Sequence, residues 1–386
     1  MVMPNWSSMP SYFDFAATTR VDRRVADVVL HYMCEEFGNS GSRTHTFGIN
    51  ARNAIEVARQ QVADVVHCEL QDVVFTSGAT EANNLALLGL QQFGESQGRR
   101  HLVTTAIEHK AVLEPLEHLA KLGFSLTIVQ PDENGIISAA EIARVVTDET
   151  LVVSVMHVNN ETGMVQPLDE IADVLKSHSA YLHVDAAQGF GKHLPLLRHS
   201  RIDMMSISGH KIYAPKGIGA LITRRRSNNE RPPLTPLFYG GGQERGLRPG
   251  TLPVALIAGL GEAAKWALHE HDQRTSRAKE IEAGVIDFVH AAGGTVNGDR
   301  TRAIPQIVNA SFKGLDSEAF IVATKELVAV SNGAACSSHS YELSHVLKAM
   351  NLEEWRLRGA IRFSFSHDCE LPDKAALVAQ IERVRF

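Results

Sequence analysis

From about residue 50 the chain alternates between two hydrophobic periods. In ARNAIEVARQQVADVV (51–66), Ile55, Ala58, Val62 and Val65 recur at helical spacing. VVFT (73–76) is a short apolar run that reads as a buried strand, followed by SGAT and a helix from about Glu81. HLVTT, SLTIVQ, LVVSVMHV, YLHVD and IDMMSIS read as further strands. The helical stretches AVLEPLEHLAKLG and LDEIADVLKSHS lie between several of them. This alternation predicts an α/β domain with a largely parallel sheet, because parallel neighbours need long crossover connections. After Thr251 the pattern changes. From Leu252 to about Ala292 it is nearly continuous helix, long enough to bridge two units. Beyond it, IVNASF and AIRFSF read as strands, with helices between and after. The expected organisation is a large domain over 17–268 and a smaller α+β domain over 269–386, the latter joined by residues 1–16.

Composition narrows the class. The chain has 386 residues, 44% hydrophobic and 21% charged, which suits a folded protein with a sizeable core. A formal net charge of -6 argues against bulk binding to a nucleic-acid backbone. The short basic run Arg224, Arg225 and Arg226 reads as a solvated strand end. MVMPNWSSMP lacks a basic segment followed by an apolar one, and no apolar run approaches the ~20 residues needed to span a bilayer. A cytoplasmic protein without membrane contact is expected. Cys34, Cys68, Cys336 and Cys369 include no CxxC pair, which argues against a zinc site. Three of them lie in ordinary helix or strand patterning and read as small buried hydrophobes.

Candidate chemistry sits at the strand ends, where open α/β sheets bind ligands. YLHVD ends in Asp185, with Gln188 just beyond. IDMMSIS runs into Ser208, His210 and Lys211. VVFT runs into SGAT, LVVSVMHV toward Asn159 and Asn160, and HLVTT toward Glu108 and His109. Singly, each has a plainer reading as a cap, a turn residue or a solvated side chain. Together they meet the needs of pyridoxal phosphate. That cofactor requires a lysine for its aldehyde, an acid for its pyridine nitrogen and an anion site for its phosphate. Lys211, Asp185 and the SGAT turn with the Thr80 hydroxyl can supply these. Glycine-rich pieces at 216–219 and 240–242 lack the GxGxxG spacing of a dinucleotide site.

The motifs FGNSGSRTH, FTSGATEANN, EHKAV, HVNNETG, HVDAAQ, SISGHKIYAPKGIG, GGGQERGLRPGT and SNGAACSS stand in this order over nearly the whole chain. In this the sequence resembles the cysteine desulfurases of the class V aminotransferase group. The resemblance implies a fold-type I pyridoxal-phosphate enzyme acting as a homodimer on L-cysteine. Lys211 would be the Schiff-base lysine. Asp185 and Gln188 would hold the ring nitrogen and ring oxygen. His109 would stack on the ring and move protons. Ala79, Thr80, Ser208 and His210 would hold the phosphate, and Thr251 would reach the phosphate of the neighbouring subunit. Asn160 and Arg362 would receive the substrate carboxylate, a task suited to a guanidinium.

Cys336 would accept the sulfur as a persulfide, alanine would leave, and an acceptor protein would take the sulfur onward. The residues around it, Gly333, Ala334, Ala335, Ser337 and Ser338, are small and suit a mobile loop. Cys336 is also a candidate transient iron–sulfur ligand; no other metal ligand is expected. The chain departs from the common Asp-Asn-Ala-Ala with Asp14-Phe15-Ala16-Ala17. It also stops at Phe386, without the tail that in housekeeping iron–sulfur members docks the cluster scaffold. Sulfur supply for DNA phosphorothioate modification, or for iron–sulfur and thiolation pathways, is the expected role. A selenocysteine lyase or class V aminotransferase would share Lys211 and Asp185. A non-catalytic scaffold of this fold would need neither Lys211 nor Cys336.

Overall fold

A computed structural model describes residues 9–226, 228–332 and 343–385. Its strands are β1 (Ser11–Tyr12), β2 (Val73–Thr76), β3 (His101–Thr105), β4 (Ser125–Val129), β5 (Thr150–Met156) and β6 (Tyr181–Asp185). They continue with β7 (Met204–Ser208), β8 (Gly219–Thr223), β9 (Gly294–Val296), β10 (Ile307–Phe312), β11 (Val328–Ala329) and β12 (Ala360–Ser364). The main sheet has the order β2-β8-β7-β6-β5-β3-β4. From β4 to β7 every pairing is parallel, and β8 runs antiparallel to both of its neighbours. The fold is therefore α/β with a mostly parallel sheet, as the alternation predicts.

Helices cover both faces, so the central strands are apolar throughout rather than alternating. Val73 and Phe75 pack into one cluster with Val62, Val103, Ile171 and Ile257, all buried. Val74, between them, points the other way and joins Leu85, Leu102, Leu116 and Leu221. Only β4, at one edge, leaves part of its length exposed.

The C-terminal part builds a second, antiparallel sheet of order β12-β10-β9 with its own core, in which Phe288, Phe312, Phe320, Phe363 and Ile381 are buried. Phe13 belongs to that core, and β1 pairs in parallel with β11. Asp14 bridges to Ser364, so the N-terminal strand brings its residues alongside β12.

Several sequence expectations need correction. The helix expected from 51 begins at Thr46, capped by His45, whose Nδ1 accepts the Gly48 N–H at 3.2 Å. The continuous helix expected over 252–292 is two, Val254–His269 and His271–Ala291, broken at Glu270. The Glu270 carboxylate takes hydrogen bonds from Arg24 and Arg274 at 2.7 and 2.8 Å, which holds the break. The arginine run is not solvated as a whole. Arg224 is buried and donates to the carbonyl oxygens of Val66, Leu197 and His199, while Arg226 pairs with Asp203. Cys34 is exposed at a helix end rather than buried. Among the described residues no helix is long and apolar enough to cross a membrane. Cys336 and the small residues around it lie outside the described residues.

Candidate active site

Strands β2, β5, β6 and β7 end on the same edge of the sheet. There they surround a cavity of about 630 Å³, within the range of small-molecule sites. Ala79, Thr80, His109, Asn160, Asp185, Gln188, Ser208, His210, Lys211 and Arg362 all line it. Thr251 does not. It lines a separate cavity of about 190 Å³ together with Asn39, Arg52 and Gln243.

One end of the main cavity is the turn between β2 and the helix Ala79–Leu88. Gly78 sits there at φ 157°, a conformation that side chains rarely tolerate. The first N–H groups of that helix are the sort that bind anions. Glu81, in its first turn, is neutralised locally. Its carboxylate accepts from the Ser77 N–H at 2.7 Å and from Arg248 Nε at 3.0 Å.

At the end of β6, Asp185 is buried. Its Oδ1 accepts from the Ala187 N–H at 2.9 Å and its Oδ2 from Asn83 Nδ2 at 2.7 Å. Two donors from a turn and a helix thus fix the carboxylate plane. Gln188 is fixed in the same way. Its Nε2 donates to the Ala16 carbonyl oxygen at 2.8 Å, and its Oε1 accepts from Lys192 Nζ at 3.3 Å. Burial, then the nearby Lys211 ammonium, pushes the Lys192 ammonium down to about 7.

Lys211 closes the short 3-10 turn Gly209–Lys211 after β7. Its Nζ donates to the carbonyl oxygens of Ala16 and, at 2.8 Å, Ala17. Next to it, His210 Nδ1 contacts Thr18 Oγ1 at 3.2 Å. Burial and then Lys211 push the His210 imidazole down to about 4, so it is neutral at neutral pH.

His109 is the N-cap of the helix Lys110–Lys121, and its Nδ1 accepts the Ala111 N–H at 3.1 Å. A neutral ring in that arrangement carries its proton on Nε2. Two buried carboxyl groups lie behind it. Glu108 Oε1 accepts from Thr105 Oγ1 and the Met156 N–H at 2.7 and 2.8 Å, and burial pushes this carboxyl up to about 8. Burial also raises Glu161, against the favourable charges of His345, Arg362 and His109. Ser344 Oγ donates to it at 2.5 Å.

Arg362, on β12, reaches the cavity from the second sheet. It is buried, donates to the Asn160 carbonyl oxygen at 3.0 Å and pairs with Asp14 at 2.7 Å. Its Nε has no protein partner among the described residues. A buried guanidinium with an unmet donor is suited to an anionic ligand.

These residues fit pyridoxal phosphate: a lysine, a carboxylate held rigid at a strand end, a helix N-terminus and a roomy cavity. Sequence reasoning missed Asn83, Asp14 and Lys192 as supports. Asn83 stands one helical turn beyond Ala79, inside the same FTSGATEANN motif. Lys192 follows Gln188 by four residues. Among the described residues, no group of three or more His, Cys, Asp or Glu could hold a metal ion.

A family model described as aminotransferase class-V matches residues 11–373. The cysteine desulfurase IscS of Rickettsia massiliae is 44% identical over 362 residues, covering 93% of this chain and 87% of that protein. The namesake from Rickettsia prowazekii is 42% identical over 385 residues, covering 98% and 92%. Among solved structures, DndA from Streptomyces lividans is 52% identical with a TM-score of 0.81, covering 91% of this chain and 98% of that one. SspA in complex with cysteine is 37% identical with a TM-score of 0.80, covering 92% and 98%.

Proposed function

The chain belongs to the aminotransferase class-V family and is a pyridoxal-phosphate-dependent cysteine desulfurase; from that premise we propose how its own residues perform the reaction. The observation that carries the assignment of roles is the convergence of Lys211, Asp185 and the buried Arg362 on one cavity. When bound, the cofactor supplies an electron sink that weakens bonds to the substrate α-carbon. Lys211 holds its aldehyde, Asp185 its ring nitrogen and Gln188 its ring oxygen. Ala79, Thr80, Ser208 and the neutral His210 hold its phosphate.

Arg362, with Asn160, holds the carboxylate of L-cysteine, so the substrate is anchored from the second sheet while the chemistry sits on the first. With substrate and cofactor in place, Lys211 Nζ would be the base that takes the substrate α-proton and later gives it back. His109 moves protons on the substrate side. The Cys336 thiolate attacks the substrate sulfur: the S–S bond forms as the C–S bond breaks, and the electron pair returns to carbon. Return of the α-proton and protonation of the carbon that lost sulfur, with Lys211 retaking its place, would free alanine and leave a persulfide on Cys336 for an acceptor protein. Both destinations read from the sequence, DNA phosphorothioation and iron–sulfur assembly, fit relatives of the DndA and IscS kinds.

A division at 268/269, with the N-terminal strand joined to the C-terminal unit, is supported by the second core, which holds Phe13 and residues from Ala278 to Ile381, while Val346, Leu347, Met350 and Ala360 pack with the large core across that boundary. A homodimer is supported by exposed apolar side chains on and beside the N-terminal helices, Leu30, Met33, Phe37, Phe47 and Ile49, of which the Phe37 and Phe47 rings lie 5.7 Å apart. Thr251, absent from its own chain's cavity, would complete the partner's phosphate site.

Cys336→Ser tests the transfer step. It should bind cofactor and change its absorbance with L-cysteine, yet release almost no alanine in a single turnover. A hydroxyl is too poor a nucleophile and cannot hold a persulfide. Near-normal alanine release would refute the desulfurase mechanism and favour an aminotransferase.

A further inference from the structure

Arg59 and Glu244 form a buried ion pair far apart in sequence. Arg59 Nη2 and Nη1 reach Glu244 Oε1 and Oε2 at 2.7 and 2.9 Å, a two-point fork. Both residues are buried. Such a pair needs its remaining donors and acceptors met, and here they are met by the backbone of β2 and by Glu56, whose Oε1 accepts from Arg59 Nε at 3.2 Å. Arg59 Nη1 also donates to the Val73 carbonyl oxygen at 2.7 Å, and Glu244 Oε2 accepts from the Phe75 N–H at 2.8 Å. β2 is an edge strand, so the pair takes up groups that no neighbouring strand pairs with.

Glu244 is also backbone-strained. It and Arg245 stand at φ 48° and 59°, two successive non-glycine residues in the left-handed region. Such conformations persist only where the surroundings over-determine them, and they cluster at functional sites. The segment that follows turns on itself: the Gly246 N–H bonds to Gly242 and Gln243, and Gln243 Oε1 accepts from the Gly250 N–H at 2.8 Å. Its end is Thr251. Arg59, Gln243, Glu244 and Thr251 all border the same small cavity.

We propose that the Arg59–Glu244 pair is a positioning device that presents the 243–251 loop, and with it Thr251, to the cofactor phosphate of a second copy of the chain. This rests on the shared-site reading of Thr251 given above. The pair grips the loop at its strained point and ties it to the strand that ends in this chain's own phosphate turn. β2 has a full ladder to β8 to hold it, from Val73↔Ile222 to Thr76↔Gly219. The loop has no such ladder, so loss of the pair falls mainly on the loop. Its effect is felt in the other subunit.

Hybrid dimers with pyridoxal phosphate as the probe test this. In each hybrid one subunit carries Lys211→Ala, so covalently held cofactor reports only the other subunit's site. Arg59→Met is placed either in the Lys211→Ala subunit, whose loop serves the reporting site, or in the reporting subunit itself. The first hybrid should lose cofactor on the order of tenfold faster than a hybrid with intact Arg59, the size of one lost charge-assisted contact. The second should stay within about twofold of that reference. Equal loss in the two arrangements, or loss only in the second, overturns the proposal and leaves the pair as a cap on the sheet edge. Thr251→Ala in the same arrangements is the control. If it does not act across the dimer, the shared-site reading fails independently. Arg59→Met alone leaves a buried carboxylate unpaired, so Arg59→Met with Glu244→Gln is run alongside. It must form dimers and show the same asymmetry, and failure to dimerise also overturns the proposal.

Discussion

Gly219 is the position at which a single methyl group should reach the cofactor. It opens β8 and pairs with Thr76 and Ser208, the last residues of β2 and β7. A Cβ there would lie 2.4 Å from the Ile207 carbonyl oxygen and 2.7 Å from the Gly78 Cα. Both are backbone atoms in sheet or tight turn, so no rotamer change relieves the overlap. Reaching the 3.4 Å of ordinary contact means moving Gly78 by roughly 0.7 Å. Overpacking of this kind costs about 1–3 kcal/mol, offset by up to about 1 kcal/mol from the stiffer unfolded chain. Gly219→Ala should therefore destabilise the cofactor-free protein by about 1–2 kcal/mol. Displacing the turn that precedes Ala79 and Thr80 should also weaken cofactor binding about tenfold, the equivalent of one phosphate hydrogen bond. Urea unfolding of cofactor-free protein measures the first, and titration with pyridoxal phosphate the second. An unchanged dissociation constant beside a reduced unfolding midpoint would refute the placement of the phosphate at this turn. No change in either would refute the packing argument itself.

Glu108→Gln should flatten the pH dependence of stability. The carboxyl is pushed up to about 8 in the fold and titrates in the usual carboxylate range when unfolded, so folding takes up a proton between those limits. The stability it contributes is fully present below the unfolded value and is lost as pH rises through about 8. The variant's slope over that window should be shallower by up to ~1.4 kcal/mol per pH unit. Parallel curves from urea unfolding at several pH values would show that Glu108 is ionised in the fold. Sedimentation of the cofactor-loaded protein should give two chains, and a fully active monomer at assay concentration would refute the shared site.

Much of this was legible in the sequence because apolar runs at the centre of a covered sheet have little freedom to be anything else. VVFT, HLVTT, YLHVD and IVNASF are strands with the bounds that the pattern suggests. β8, GALIT, is as apolar as they are but follows directly on a glycine-rich segment that reads as loop, and its reversal of direction leaves no helix to announce it. Cofactor residues sit at strand ends and could be found by that rule. Their supports could not: Asn83 meets Asp185 across 102 positions, and Asp14 meets Arg362 across 348. No period or spacing encodes such pairings. The break at Glu270 was hidden for the same reason, since Arg24 helps to hold it from the far end of the chain.

The reversal at β8 also bears on the order in which the chain assembles. β7 and β8 are joined by residues 209–218 alone, whereas β6 and β5 are separated by residues 157–180 and β2 meets β8 only after residues 77–218. Loop-closure entropy rises with the length enclosed, and contacts between near neighbours form soonest. The hairpin that carries Lys211 is thus the piece of the sheet least costly to close. The phosphate turn, brought by β2, must arrive by one of the longest closures in the molecule. Pulsed hydrogen exchange during refolding should protect amides of 205–207 and 220–222 ahead of those of 73–75. The cofactor's covalent anchor is then in place before the pocket that selects it, and a chain caught midway would present the lysine to solvent with its cradle still open.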